Sequence, residues 1–89
     1  MASFTNQRAY QSLRGQAVWV EVATDQLDDL QTISEGMIAT NSSSGKTGRV
    51  GHVDYFGTSF QVIPKQPNLD FASASTYGYI AVNETVTVV

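Results

Sequence analysis

Apolar and polar positions alternate most regularly in residues 16–23, QAVWVEVA. Valines at every second position point to one side of an extended chain, while Trp19 and Glu21 point to the other, which is the pattern of a half-buried β-strand. Because it faces away from the valines, Trp19 either covers a second small core or lies at an interface, where tryptophan is enriched. We expect a strand here, with Trp19 partly buried within the monomer.

Residues 48–64, GRVGHVDYFGTSFQVIP, have the pattern of a β-hairpin whose turn sets its own register. Asp54 and Gly57 take the first and fourth positions of a type I turn, and a glycine there can adopt the left-handed conformation that closes a bulged loop. Asp54 and Thr58 then flank the loop, and Pro64 ends the second strand because it lacks a backbone donor. Counting back from the flanking pair predicts a core-facing side that carries Val50, His52, Phe60 and Val62.

His52 is the only histidine in the chain, and this register places it opposite Phe60 on the apolar side. With Asp54 two residues further on, it has the arrangement of a general base with an orienting carboxylate. The turn already accounts for Asp54, however, and no serine is singled out as a nucleophile. We therefore expect a structural histidine in a protein that is not an enzyme, with no catalytic, metal-binding or cofactor-binding residues.

Residues 24–35 are the most acidic part of the chain, and their leucines and isoleucine recur at three-residue spacing, which predicts a short helix or a helical turn. The carboxylates lack the pattern of a calcium-binding loop, so we interpret the segment as solvated acidic surface. Further predicted elements are strands at 36–40, 79–82 and 85–89, an irregular strand at 69–75 and a loop at 41–48. The terminal TVTVV is uncharged and β-prone, so it must be paired within the sheet or covered by another subunit.

Composition narrows the classes of function. Eighty-nine residues allow one domain with a limited core, which partner contacts or oligomerisation would stabilise further. The formal net charge is −3 and only 15% of residues are charged, which disfavours a basic nucleic-acid-binding face. Neutral polar residues supply most of the polarity instead, and these suit a protein that packs against others. The chain has no cysteine, and we expect neither a signal peptide nor a membrane-spanning segment.

The chain divides by pattern into two parts. We predict an N-terminal arm over residues 1–15, either a short helix or an extended segment ordered against a neighbour, and a single β domain over residues 16–89. The arm and the aromatic loop tip of the hairpin are the expected partner-binding regions. Their candidate contact residues are Phe4, Arg8, Tyr10, Arg14, Tyr55 and Phe56.

Residues 45–54, GKTGRVGHVD, resemble a KOW-type segment, in which a basic, glycine-rich loop leads into a strand of a small SH3-like barrel. Together with the strand patterns, this resemblance predicts an all-β fold of about five to seven short strands. We expect a small SH3-like, partly open barrel or a compact β-sandwich with an N-terminal arm. The resemblance also implies an alternative function, a KOW-like nucleic-acid or ribosome-binding module that acts through Lys46 and Arg49.

The whole chain is similar to small virion structural proteins of tailed bacteriophages, especially capsid cement or decoration proteins. The shared features are a short all-β domain without cysteine, a polar N-terminal arm, a surface rich in serine, threonine and asparagine, and an uncharged terminal strand. This resemblance implies a non-enzymatic protein on the capsid surface of the virion, which binds and stabilises the major capsid protein lattice without a cofactor. Its expected partners are the major capsid protein, another virion protein or a second copy of the chain. Binding to a membrane or to nucleic acid is not expected. A head fibre base or a head-tail connector is the alternative virion part.

Overall fold

The computed structural model describes residues 1–10, 17–42, 45–64 and 82–89. Within these ranges, six strands form one antiparallel sheet that curls into a half-barrel, which confirms the predicted all-β fold class. The strands are β1 (Ala2–Thr5), β2 (Val18–Glu21), β3 (Ile38–Asn41), β4 (Thr47–Asp54), β5 (Ser59–Pro64) and β6 (Thr85–Val88). Their order across the sheet is β1-β6-β3-β4-β5-β2, with β1 and β2 at its two ends.

Alternating apolar residues of the strands form the core on one face of the curled sheet. The valines of β2 that were predicted to face inward are fully buried, and Trp19 on the opposite face is half-buried, as expected. Phe4 and Phe60 pack at the centre with tilted rings 5.1 Å apart, a geometry that favours aromatic pairs. The buried apolar side chains are Ala2, Phe4, Val18, Val20, Val22, Leu30, Ile33, Ala39, Val50, Val53, Phe60, Val62, Val86 and Val88.

A short helical segment closes one side of this core. A 3-10 helix at Thr24–Gln26 runs into α1 (Leu27–Leu30), as the three-residue apolar spacing predicts. Leu30 and Ile33 are buried and Leu27 packs against the core. The acidic side chains of the segment lie on its exposed side.

The β4–β5 hairpin forms as predicted, but its loop is one residue longer than the turn pattern indicates. Asp54 pairs with Ser59 and not with Thr58, so residues 55–58 make up the loop. Gly57 is not among the described residues with positive φ, so the predicted left-handed closure is wrong. Instead, the loop continues one residue beyond the type I turn before β5 begins.

A β-bulge in β4 compensates for this extra loop residue. The register shifts between Val50 and His52, which leaves Gly51 as the additional residue. Beyond the bulge the pairing returns to the predicted register, so Val50 has its expected partner and is buried. His52, in contrast, lies opposite Gln61 and is exposed, so the prediction that it faces the core beside Phe60 is wrong.

The first residues of the predicted N-terminal arm, residues 1–15, form an edge strand of the sheet. Residues Ala2–Thr5 form β1 and pair with β6 along their whole length. Phe4 is fully buried against Phe60, so it is a core residue and cannot contact a partner. The arm forms a strand because β6 offers an uncharged partner and the core has room for one aromatic side chain. Residues 11–16, which include the end of the predicted arm, lie outside the described residues.

The C-terminal strand β6 lies between β1 and β3 and is paired on both sides. This arrangement confirms that the uncharged TVTVV sequence is paired within the sheet, where it cannot template aggregation. The predicted strands at 69–75 and 79–82 fall outside the described residues, except for Val82, which lies in a turn before β6.

Asn6 and Gln7, which we call the clasp, link β1 and β2, the two edge strands of the sheet. The backbone N–H of Gln7 donates to the carbonyl oxygen of Glu21 in β2 at 2.9 Å. The N–H of Glu21 donates in turn to Oδ1 of Asn6 at 3.0 Å, and Nδ2 of Asn6 donates to the carbonyl oxygen of Arg8 at 2.8 Å. The clasp therefore satisfies edge groups of β2 that an open sheet would expose.

A small buried polar cluster next to β6 holds Asn6 of the clasp in place. The N–H of Asn6 donates to the carbonyl oxygen of Glu84, and its own carbonyl oxygen accepts from the N–H of Asn83. The Glu84 carboxylate is nearly buried and accepts a hydrogen bond from Nδ2 of Asn41 at 3.0 Å. Buried polar groups are tolerated because they are hydrogen-bonded in this way.

Candidate functional site

Phe56 at the end of the β4–β5 hairpin is the most exposed aromatic residue that the structure describes. Its relative exposure is 105%, so its side chain makes almost no contact with the rest of the chain. Tyr55 beside it is 40% exposed. A single exposed apolar residue is ordinary on a protein surface. What distinguishes Phe56 is the loop that carries it, residues 55–58, which we call the tip.

The first half of the tip is fixed by its own turn. The N–H of Gly57 donates both to the carbonyl oxygen of Asp54 at 3.2 Å and to its Oδ1 at 2.9 Å. A Cβ atom at Gly57 would overlap the Asp54 carboxylate in its present position, so the glycine leaves room for this side chain to close the turn. The turn thus holds Phe56 at its outermost position.

Tyr55 ties the tip to the segment that follows α1. Its hydroxyl group donates to the carbonyl oxygen of Ile33 at 2.7 Å. Its carbonyl oxygen accepts from Nε2 of Gln31 at 2.9 Å. Tyr55, predicted as a contact residue, therefore has a structural role in addition to its exposed ring face.

Thr58 ties the other end of the tip to β2. Its carbonyl oxygen accepts from the N–H of Val22 at 2.6 Å, and its hydroxyl group donates to Oε1 of Glu21 at 2.9 Å. The tip is consequently held at both ends by neighbouring elements. A loop that is ordered before binding loses less conformational entropy when a partner docks on it.

The surroundings of the tip are acidic. Asp28 and Asp29 are exposed in the turn of α1 that leads to Gln31, and Asp54 is exposed at the base of the tip. Residues 22–45 contain no lysine, arginine or histidine to offset these charges. Phe56 therefore projects from a negative surface, which favours a partner with basic groups around an apolar pocket.

A groove lies next to the tip on the outer face of β2 and β5. Its volume is about 400 Å³, and Trp19 lines it and packs edge-on against His52, with the two ring centroids 6.0 Å apart. Glu21 and Ser59 belong both to the groove and to the strand ends that hold the tip. Among the described residues, those that line the groove are Arg8, Ala9, Tyr10, Trp19, Glu21 and Ser59.

The structure thus brings most of the predicted contact residues to one end of the molecule. Arg8 and Tyr10 line the groove, whereas Tyr55 and Phe56 form the adjacent tip. Phe4 is in the core, and the predicted contact residue Arg14 lies outside the described residues.

Sequence reasoning did not place Trp19 beside His52 or in a groove. The available signal was Gly51, because an isolated glycine within a strand pattern indicates a bulge, and the bulge turns His52 outward. The position of Trp19 on the polar side of β2 was a second signal, since an aromatic residue there must find contacts on the outer face.

The basic residues of the KOW-like segment lie at the other end of β4 from the tip. Lys46 is half-buried, and Nη1 of Arg49 donates to the carbonyl oxygen of Gly36 at 2.9 Å. Arg49 also lines a small pocket with Ile38 and neighbouring residues of β4. These two cations are separate from the tip and the groove.

His52 and Asp54 are the candidate reactive groups among the described residues. His52 packs against Trp19 and Asp54 closes the turn, so each side chain of the candidate acid–base pair has a structural contact of its own. Within the described ranges, no cluster of histidine, cysteine or carboxylate side chains is suited to hold a metal ion. In the same ranges, no helix has the length and apolar character needed to cross a membrane.

Comparison with protein-family models, curated proteins and solved structures found no match for this chain.

Proposed function

We propose that the protein is a non-enzymatic virion structural protein, a capsid cement or decoration protein that stabilises the lattice by clamping neighbouring subunits. The tip is its principal contact. One observation carries this proposal: Phe56 is fully exposed on a loop whose two ends are fixed by hydrogen bonds to the segment after α1 and to β2. A rigid, exposed aromatic side chain is the kind of group that anchors protein interfaces.

Burial of Phe56 in a partner supplies a modest free energy. Moving a phenylalanine side chain from water into an apolar pocket contributes about 1.5–3 kcal/mol. The tip is already ordered, so little of this energy is lost to restricting the loop. In a symmetric lattice, many such contacts add up, and weak individual contacts then give stable attachment.

The virion assignment rests on composition and organisation. A short all-β domain with few charges and many hydroxyl and amide side chains resembles small phage structural proteins, as the sequence indicates. Neutral polar groups are less costly to bury than ions, so such a surface can pack closely against subunits. The acidic surroundings of the tip favour a lattice pocket with a basic rim.

Addition of the purified protein to emptied capsids of the encoding phage tests this proposal. We expect stoichiometric, saturable binding and capsids that resist heat better than undecorated ones. Absence of both effects would reject decoration.

A parallel experiment tests the nucleic-acid alternative. If the protein is instead retained on RNA or DNA in a salt-sensitive manner, and the variant K46A/R49A loses this retention, the KOW-like function replaces the proposed one. Under our proposal the same variant binds capsids as the wild type does, because both cations lie away from the tip.

A further inference from the structure

We infer that the neighbouring subunit clamped by the tip on the capsid lattice is a second copy of this chain, and that Phe56 of one copy occupies the groove of the other, so that attachment to the capsid depends on Phe56 through contacts between bound copies. This inference rests on the proposed function, which makes the tip a contact site. The groove volume of about 400 Å³ is at the small end of the range for ligand pockets, a size suited to one or two side chains. Its aromatic walls, Tyr10 and Trp19, match the aromatic ring of Phe56.

The positions of tip and groove allow a closed dimer. Thr58 of the tip bonds to Glu21, which also lines the groove, and Ser59 directly follows the tip. The two surfaces therefore adjoin each other at one end of the molecule. A two-fold axis that passes between them places each tip against the groove of the other copy, so both contacts form at once and the assembly stops at two.

Charge favours the same pairing. Arg8 is exposed at the groove, where the half-buried Glu21 carboxylate already accepts a hydrogen bond from the Thr58 hydroxyl group. Asp54, in contrast, is exposed at the base of the tip, and the exposed carboxylates of α1 lie nearby. In the dimer, Arg8 of one copy faces the acidic surroundings of the tip of the other. Opposite charges around an apolar anchor fix the register and speed the encounter. Two tips brought together would place like charges against each other.

Sedimentation equilibrium of the purified protein tests the inference at concentrations up to about 1 mM, the effective concentration of closely tethered neighbours. We expect a reversible monomer–dimer equilibrium. Phe56→Ala is expected to raise the dissociation constant at least roughly 30-fold, the loss typical of one central aromatic anchor, because the variant dimer lacks two. Trp19→Ala should weaken the dimer similarly, and Arg8→Glu about tenfold. Ile63→Ala is the matched control, because Ile63 is 47% exposed at the far end of β5, and it should dimerise as the wild type does.

A mixture distinguishes tip-to-groove pairing from other dimers. The tip variant Phe56→Ala and the groove variant Trp19→Ala each lack both contacts as homodimers, but their mixed dimer retains one intact tip and one intact groove. We therefore expect dimers in the mixture at concentrations where each variant alone is monomeric. If Trp19→Ala dimerises normally while Phe56→Ala does not, the tips pair with each other and the inference is wrong. Should Trp19→Ala fail to fold, Arg8→Glu takes its place, because Arg8 is exposed.

The two proposals fail separately. A wild-type protein that stays monomeric up to about 1 mM but saturates emptied capsids overturns the second copy as partner and leaves the proposed function intact. A dimer that does not bind capsids supports the tip-to-groove contact and rejects the capsid function.

Discussion

Asn6 is the residue on which closure of the half-barrel depends most. It is fully buried, and within the described part of the chain its backbone and side-chain atoms bond to Asn83 and Glu84 near β6 and to Arg8 and Glu21 near β2. An aliphatic side chain would keep the two backbone bonds but could not replace the two side-chain bonds. The side-chain amide supplies one acceptor and one donor to backbone groups in partly buried hydrogen bonds.

Replacing Asn6 with alanine is therefore expected to lower the free energy of unfolding by about 2–4 kcal/mol, because the N–H of Glu21 and the carbonyl oxygen of Arg8 lose their partners. Urea unfolding followed by Trp19 fluorescence measures the change. Gln7→Ala is the control, since its exposed side chain bonds only locally to Thr5, and it should lower stability by less than about 1 kcal/mol. Equal losses in the two variants would show that the side chain of Asn6 does not join the terminal strands.

Asn83 is the described non-glycine residue with a left-handed backbone, at φ 72°. Asparagine tolerates this conformation better than residues without a short polar side chain. We expect Asn83→Ala to lower the unfolding free energy by about 1 kcal/mol and Asn83→Gly to change it by less than about 0.5 kcal/mol. Thermal unfolding of both variants checks this order, and an alanine variant as stable as the glycine variant would contradict it.

At the scale of elements, the two glycines of β4 face different neighbours. A Cβ at Gly48 would lie 2.5 Å from the backbone carbonyl oxygen of Ile63, which cannot move without disturbing β5. At Gly51 the nearest atoms, at 2.8 Å, belong to the side chains of Gln61 and Ile63, which can rotate away. Close packing against backbone is thus specific to Gly48.

We therefore predict that Gly48→Ala lowers the free energy of unfolding by about 1–3 kcal/mol, whereas Gly51→Ala lowers it by less than about 1 kcal/mol. Urea unfolding of the two variants side by side makes the comparison. The reverse order would mean that the bulge at Gly51, and not the close approach of β4 to β5 at Gly48, limits which side chains β4 can carry.

The strands and the helical turn follow from the sequence because their signals are local. The valines of β2 alternate strictly, and Leu27, Leu30 and Ile33 recur at helical spacing, so each element is encoded within about ten residues. The hairpin register cannot be predicted from local alternation alone. Its loop length and the bulge at Gly51 shift the chain by one residue each and in opposite senses, so Val50 was placed correctly and His52 was not.

The candidate site was only partly predictable for a related reason. Phe56 lies at a turn and is recognised from local sequence, and so is Tyr55. The groove, in contrast, joins Arg8 and Tyr10 to Trp19 through the clasp, a long-range contact between the two ends of the sheet. Phe4 was misassigned because a short polar segment with one aromatic residue looks the same whether it is an arm or an edge strand.

At the scale of the whole molecule, the core and the proposed contact surface are separate. Phe4 and Phe60 bury their rings at the centre, whereas Phe56 contributes nothing to the core. Phe56→Ala should therefore change the free energy of unfolding by less than about 0.5 kcal/mol. This independence makes Phe56 the position at which binding can be removed without damage to the fold.

Binding of Phe56→Ala to emptied capsids, measured by co-sedimentation beside the wild type and Ile63→Ala, tests the central claim most directly. We predict that the wild type and Ile63→Ala saturate the capsids equally, and that Phe56→Ala, although equally stable, binds at least roughly 30-fold more weakly. Undiminished binding by Phe56→Ala would contradict the account, because the tip would then not be the surface through which the protein acts.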